Sequence, residues 1–177
     1  MPRMRVQETR LLRVGKAAHS LLQSWREGVS HCTASGLEID ELKRIAARDR
    51  WRLARAHHRD GRALLESRRR LFRSAISRLY YAMYHAMRAA AYMFHDGDDH
   101  ESHADLLLHV PDDLPDAKRW ANTLKQARLL RNAADYDPYP RDGRVWRKRA
   151  DSLLLDSEAL LRAARDYLKA RGCRGLR

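Results

Sequence analysis

Within an otherwise apolar run from Leu71 to Phe94, the polar residues Ser74, Arg78, Tyr81 and His85 follow one another at offsets of four, three and four. On a helix those offsets place all four on one stripe. Polar groups in such a stripe are costly to desolvate unless they pair with each other or face a cleft. About fifty residues later a second set, Arg128, Arg131 and Asp135, again shares one helical face, in the run Arg128-Leu129-Leu130-Arg131-Asn132-Ala133-Ala134-Asp135-Tyr136-Asp137-Pro138-Tyr139. Guanidinium groups bind anions and an imidazole can carry a proton, so the two stripes are the candidate chemistry of the chain. Each also has an ordinary explanation. His85 can bond a backbone carbonyl, Tyr81 can pack its ring, and an i, i+4 Arg–Asp pair contributes only about 0.3–0.5 kcal/mol. Two polar stripes on two core helices are nonetheless a larger coincidence than one.

A third set, His95-Asp96-Gly97-Asp98-Asp99-His100-Glu101-Ser102-His103-Ala104-Asp105, mixes imidazoles and carboxylates and invites a reading as metal ligands. It has neither the HExxH zinc spacing nor a calcium loop, because Asp96, Gly97 and Asp98 fall in the wrong order. An all-helical HD phosphohydrolase would need further His and Asp ligands on separate helices, and His85 is the only upstream histidine on the central helix. The expectation is a solvated acidic loop, with no metal and no cofactor. Cys32 and Cys173 lie near opposite ends of the chain without a CxxC or Cys/His cluster, so neither a disulfide scaffold nor a zinc ribbon is implied.

The elements that must carry these residues are helices. The chain has 177 residues, 44% of them hydrophobic, with only 8 Gly and 5 Pro to punctuate them, which excludes disorder and favours helix after helix in one core. Apolar spacing predicts a helix over Glu8 to Val29 that fades into a loop at His31 to Gly36. A second helix begins near Ile39 with Asp40 as its cap. Its inner side is expected to hold Leu42, Ile45, Ala46, Leu53, Ala56, Leu64 and Leu65, and Gly61 weakens its middle. The strongest periodicity, Leu71 to Phe94, predicts a central helix that is apolar around most of its girth. Gly97, Pro111 and Pro115 break it, with a short helical turn around Leu106 to Leu108. Asp116 is expected to cap the next helix, which Pro138 and Pro140 end near Asp135. A last helix runs from about Arg144 to Ala170, stopped by Gly172.

Charge is laid out unevenly. The net charge is +13, and residues 1–88 hold 20 Lys+Arg against 8 Asp+Glu. Twelve basic and three acidic residues fall between Lys43 and Arg73, whereas Asp96 to Asp116 holds eight carboxylates and no Lys or Arg. A basic surface attracts polyanions by counterion release, which makes nucleic acid the expected partner. The skew to arginine, 30 of the 36 basic residues, is also what a GC-rich genome produces. The N-terminus lacks the apolar stretch of a secretory signal, and Tyr80 to Phe94 falls short of the roughly 20 apolar residues of a bilayer span. A cytoplasmic protein with no membrane association is expected.

The sequence Tyr80-Tyr81-Ala82-Met83-Tyr84-His85 on one helix, followed by Arg131-Asn132-Ala133-Ala134-Asp135-Tyr136-Asp137-Pro138 at the end of another, resembles the HEPN superfamily. It is similar in particular to the branch that carries an ADY-type sequence where others carry histidine. The resemblance covers roughly Glu38 to Ala170. It leaves the first 36 residues unmatched and implies a helical bundle, in keeping with the helix pattern, which predicts an all-α, up-and-down four-helix bundle with an additional N-terminal helix, residues 1–36 being a helical extension and 37–177 the bundle. It also implies a homodimer whose Arg motifs line a shared basic cleft. A central helix apolar all round, which would leave one side open in a lone bundle, points the same way.

Many HEPN proteins are metal-independent endoribonucleases that use Arg, the polar residue beside it, a short spacer and His. Mapped here, Arg131 and Asn132 match the first two, and Tyr136 stands where the histidine would be. Cleavage by the RNA's own 2′-hydroxyl needs a base and a cation on the phosphate, and Arg131 can supply the second. A phenol with a pKa of about 10 is a poor base, so His85 or His103 becomes the alternative. The resemblance thus implies RNA binding by Arg128, Arg131, Asn132, Asp135 and Tyr136, flanked by Arg78, Tyr81, His85 and His103, and leaves cleavage, as in a toxin-type endoribonuclease, open. The alternative is a non-catalytic helical module that partners a small nucleotidyltransferase, with the acidic loop as a docking or self-occluding element.

Overall fold

Regular structure in the computed structural model, which describes residues 6–176, is entirely helical. Six helices follow in order: α1 (Val6–Gly15), α2 (His19–Ser35), α3 (Ile39–Glu66), α4 (Phe72–Phe94), α5 (Ala117–Tyr136) and α6 (Gly143–Ala170). The chain divides into two compact units, Met1–Leu42 and Lys43–Arg177. In the first, the single helix expected over Glu8 to Val29 is two, interrupted after Gly15, and the expected loop at His31 to Gly36 is helical as far as Ser35. The side chains of Thr33 and Ser35 bond back to the carbonyls of Val29 and His31, so these loop-favouring residues are accommodated without leaving the helix. Gly36, at φ 68°, ends it. Neither α1 nor α2 has a buried residue.

In the second unit α4 is the axis, with α5 and α6 packed against it. Thirteen of its residues are buried, Tyr80, Met83, Tyr84 and Met87 among them, so it leaves no open apolar side and that part of the argument for a dimer is not met. The inner face of α3 also differs from expectation. Its buried residues are Ala47, Trp51, Ala54 and Gly61, while Leu53 is 44% exposed. Three of the four are small, and small residues let the backbone of α3 approach α4. A Cβ placed on Gly61 would lie 2.9 Å from Cγ and Cδ2 of Leu79.

The segment between α4 and α5 is not a solvated loop. Leu106, in the 3-10 turn Asp105–Leu107, is fully buried, and Val110 and Leu114 join it in the core. Asp116 precedes α5 as expected, but at φ 61° and without a side-chain cap bond. Asp142, by contrast, caps α6 by accepting from the Arg144 backbone at 2.8 Å. The chain leaving α5 is held by Arg73 of α4, whose guanidinium donates to the carbonyls of Ala134 (3.0 Å), Asp137 (2.6 Å) and Pro140 (3.4 Å) and lies over the Trp146 ring. A cation at these orphan carbonyls favours the helix end and fixes the segment that carries Tyr136.

Candidate functional site

The last two turns of α5 face the middle of α4, and Arg131 is the hub between them. Its guanidinium donates to the hydroxyl of Tyr81 at 2.8 Å and to Asn132 Oδ1 at 3.1 Å, and its Nε lies 2.8 Å from Asp135 Oδ2. The rings of Tyr81 and Tyr136 lie at 5.4 and 5.9 Å from its central carbon. Asp135 in turn accepts from Ser77 at 2.5 Å, which ties the α5 motif to α4. Side-chain exposures of 20% for Arg131 and 29% for Asp135 make this a partly shielded pair, firmer than the exposed i, i+4 bridge that the spacing alone would suggest. Tyr136 is 75% exposed and forms the outer edge of the group.

Three imidazoles complete the site. His57 of α3 stacks on His85 with ring centres 5.3 Å apart and 6° between planes, and its Nδ1 lies 3.3 Å from Arg78 Nη1. Tyr81 sits against both rings and against His103. Burial holds His85 down to about 4, with His57, Arg88, Arg50 and His103 adding to the effect. His57 is lowered by burial and then by Arg78, and His103 by burial and then by Arg128 and Arg131. All three are therefore neutral at pH 7. Tyr80, whose phenol burial raises, lies 2.6 Å from Nδ1 of His103. The His103 carbonyl accepts from Arg128 at 3.3 Å.

Of the residues singled out in the sequence, Arg78, Tyr81, His85, His103, Arg128, Arg131, Asn132, Asp135 and Tyr136 are thus drawn into one connected group. Ser74 is not; it lies exposed, and Ser77 is the serine that reaches α5. Sequence reasoning also missed His57 and the role of the Tyr80 hydroxyl. A signal for His57 was present, since it lies one turn before Gly61, a glycine inside a helix, where a Cβ would meet Leu79 of α4.

Three guanidinium groups against one carboxylate give the site a positive balance. Further along, α3 and α6 form a second cationic concavity of about 280 Å³, lined by Arg55, Arg59, Arg62, Arg162 and Arg165 around Glu158. Elsewhere the charge of α3 is offset. Lys43 pairs with Asp96, and Asp99 is shared by Arg50 and Arg88. The acidic segment therefore covers one end of the basic helix rather than standing apart from it.

A bundle of four long helices, centred on a buried tyrosine-rich helix with an arginine hub at the end of its neighbour, is a distinct class of all-α domain. The HEPN domain profile matches residues 47–167, and the chain belongs to that family. No curated protein and no solved structure matches the chain. Among the described residues no helix is long and apolar enough to cross a membrane.

Proposed function

We propose that this HEPN-domain protein binds RNA as a homodimer, with Arg131 as the phosphate contact and Arg128, Arg78 and Tyr136 around it. The observation that carries the reading is the positive balance of a preformed, partly shielded arginine hub with neutral imidazoles beside it. A guanidinium already oriented by Tyr81 and Asp135 loses little freedom on meeting a phosphate. Leu129, Tyr136 and Tyr139 are exposed around the same helix end and supply apolar surface for the second subunit.

Binding is the primary activity in this reading. An imidazole held to about 4 is neutral at pH 7 but weakly basic, and His103 has its Nδ1 engaged by Tyr80. Neither is well matched to deprotonating a 2′-hydroxyl. That weakness also favours the second reading, a non-catalytic module that partners a small nucleotidyltransferase. The deciding experiment incubates end-labelled structured RNA with the protein in excess EDTA, beside a folded Arg131→Ala variant. We expect a salt-dependent shift by the wild type that weakens about thirtyfold in the variant, or about 2 kcal/mol. Cleavage by the wild type alone would make the protein a metal-independent endoribonuclease of toxin type. Equal binding by both proteins would end the Arg131 reading, and a mass of 20.7 kDa by light scattering at micromolar concentration would end the dimer.

A further inference from the structure

We infer that the concavity between α3 and α6 is a binding site for a compact oligophosphate group, of the kind carried at a triphosphorylated RNA 5′ end or by a free nucleoside triphosphate. Spacing builds it from both sides. Arg55, Arg59 and Arg62 follow at four and three on α3, and Glu158, Arg162 and Arg165 at four and three on α6, so each helix turns one stripe toward the same hollow of about 280 Å³. The buried Trp51 and Leu161 line it as well and give it an apolar wall.

The fold leaves much of this charge unused. Arg62 pairs with Glu66 and Arg165 with Asp166, but among the described residues Arg55, Arg59 and Arg162 have no ion pair. The other flank of α3 differs, because Lys43 and Arg50 there meet Asp96 and Asp99. A hollow lined by one sign of charge against an apolar wall focuses its field and concentrates counter-ions.

Size and charge density select the ligand. A nucleic-acid backbone spreads its charge at one per phosphodiester, whereas an oligophosphate gathers several charges in one small group, about −1.5 to −2 on its last phosphate alone. Guanidinium forks match phosphate oxygens two at a time. Arg55 and Arg165 are already half-buried, so they lose little further freedom on binding. The volume lies below the roughly 300–1,000 Å³ of pockets that enclose a whole small molecule, which suits a phosphate group whose remainder stays outside.

Two lining residues also hold idle nitrogens: Trp51 Nε1 and His58 Nε2 are buried without a hydrogen-bond partner among the described residues. Burial lowers the His58 pKa, and Arg55 and Arg62 add to the effect against Glu158. An anion in the hollow would raise it again, which makes His58 a reporter of occupancy. The lining shares no residue with the Arg131 hub, so the site stands apart from that reading.

The test is calorimetric titration of the full-length protein with inorganic tripolyphosphate at about 0.15 M salt, where charges beyond about 8 Å are screened. The double variant Arg59→Gln/Arg162→Gln is compared with Lys118→Gln/Lys148→Gln, which removes the same charge from exposed lysines elsewhere, and with Arg131→Ala, helicity being checked by circular dichroism. We expect one tripolyphosphate per chain, affinity at least thirtyfold weaker in the arginine double variant, and less than threefold change in the other two. In the wild type, NMR should show the His58 titration moving upward when tripolyphosphate is added. Absence of saturable binding, a still His58, or equal losses in the arginine and lysine variants would overturn the site. An RNA with a 5′-triphosphate bound at least tenfold tighter than its 5′-hydroxyl counterpart, with the difference lost in the arginine double variant, assigns the group to an RNA end. Equal binding of the two RNAs, beside a nucleoside triphosphate that binds as tightly as tripolyphosphate, assigns it to a free nucleotide.

Discussion

Two histidine-rich groups share the segment between α4 and α5, and their neighbours give them opposite electrostatic surroundings. Around Tyr81, the imidazoles of His57, His85 and His103 are set among Arg78, Arg128 and Arg131, and burial and cationic neighbours together hold them neutral. Around Asp105, the imidazoles of His100 and His109 meet a carboxylate within hydrogen-bonding range. The first environment sets its imidazoles among cations; the second sets them beside an anion. What a histidine can do is therefore set less by the residue than by the sign of the charge it is buried against.

That contrast can be tested from the stronger effect to the weaker. The largest effect should be the pH dependence of stability. His85 is neutral when folded until about pH 4, whereas in the unfolded chain it takes up a proton near its ordinary value of 6.5. Over that window the unfolded state binds more protons, so stability should be complete above about pH 6.5 and decline as pH falls toward 4. Urea midpoints across that range would measure the decline, and His85→Gln should flatten it. An equally steep decline in the variant would place the cost elsewhere, and His57 and His103, lowered in the same sense, would be the next positions to test.

A middle effect is expected for Tyr80→Phe, which removes the hydrogen bond to His103 Nδ1 and should cost about 1 kcal/mol of stability. His103 loses this partner, so its NMR titration should move; an unchanged titration would show that burial and the arginines alone hold it neutral. The smallest effect is expected for Asp135→Asn. Losing the partly shielded pair with Arg131 should cost about 0.5–1 kcal/mol. RNA affinity should rise, because the one carboxylate of the hub is gone. A fall in affinity would mean that Asp135 matters more for aiming Arg131 than for its charge.

Much of the bundle was legible because its signals are local. The three- and four-residue spacing of α4 and the prolines after Asp137 act within a few turns and were read to within one or two residues. The Arg131 cluster was legible for the same reason, its spacing and motif being short. The inner face of α3 was not. Leu53 and Leu64 outweigh Ala47, Ala54 and Gly61 on any scale of hydrophobicity, yet close approach to α4 rewards the absence of side chain, a tertiary demand that periodicity does not record. The carboxylates of the α4–α5 segment concealed its buried Leu106, Val110 and Leu114, and the convergence of His100 with His109 depends on a turn that no spacing rule described.

Gly61 has a reach beyond its own position. It sits one turn from His57 and against Leu79, which lies between Arg78 and Tyr80 on α4. The approach of α3 to α4 one turn from the His57–His85 stack thus depends on a residue with no functional group at all. Any side chain there would act as a spacer, prising the imidazole pair apart while leaving every residue of the motif intact. Among relatives of this chain, the size of the residue at position 61 would then tune the site as a shim tunes a joint, and a survey confined to the Arg131 motif would overlook it.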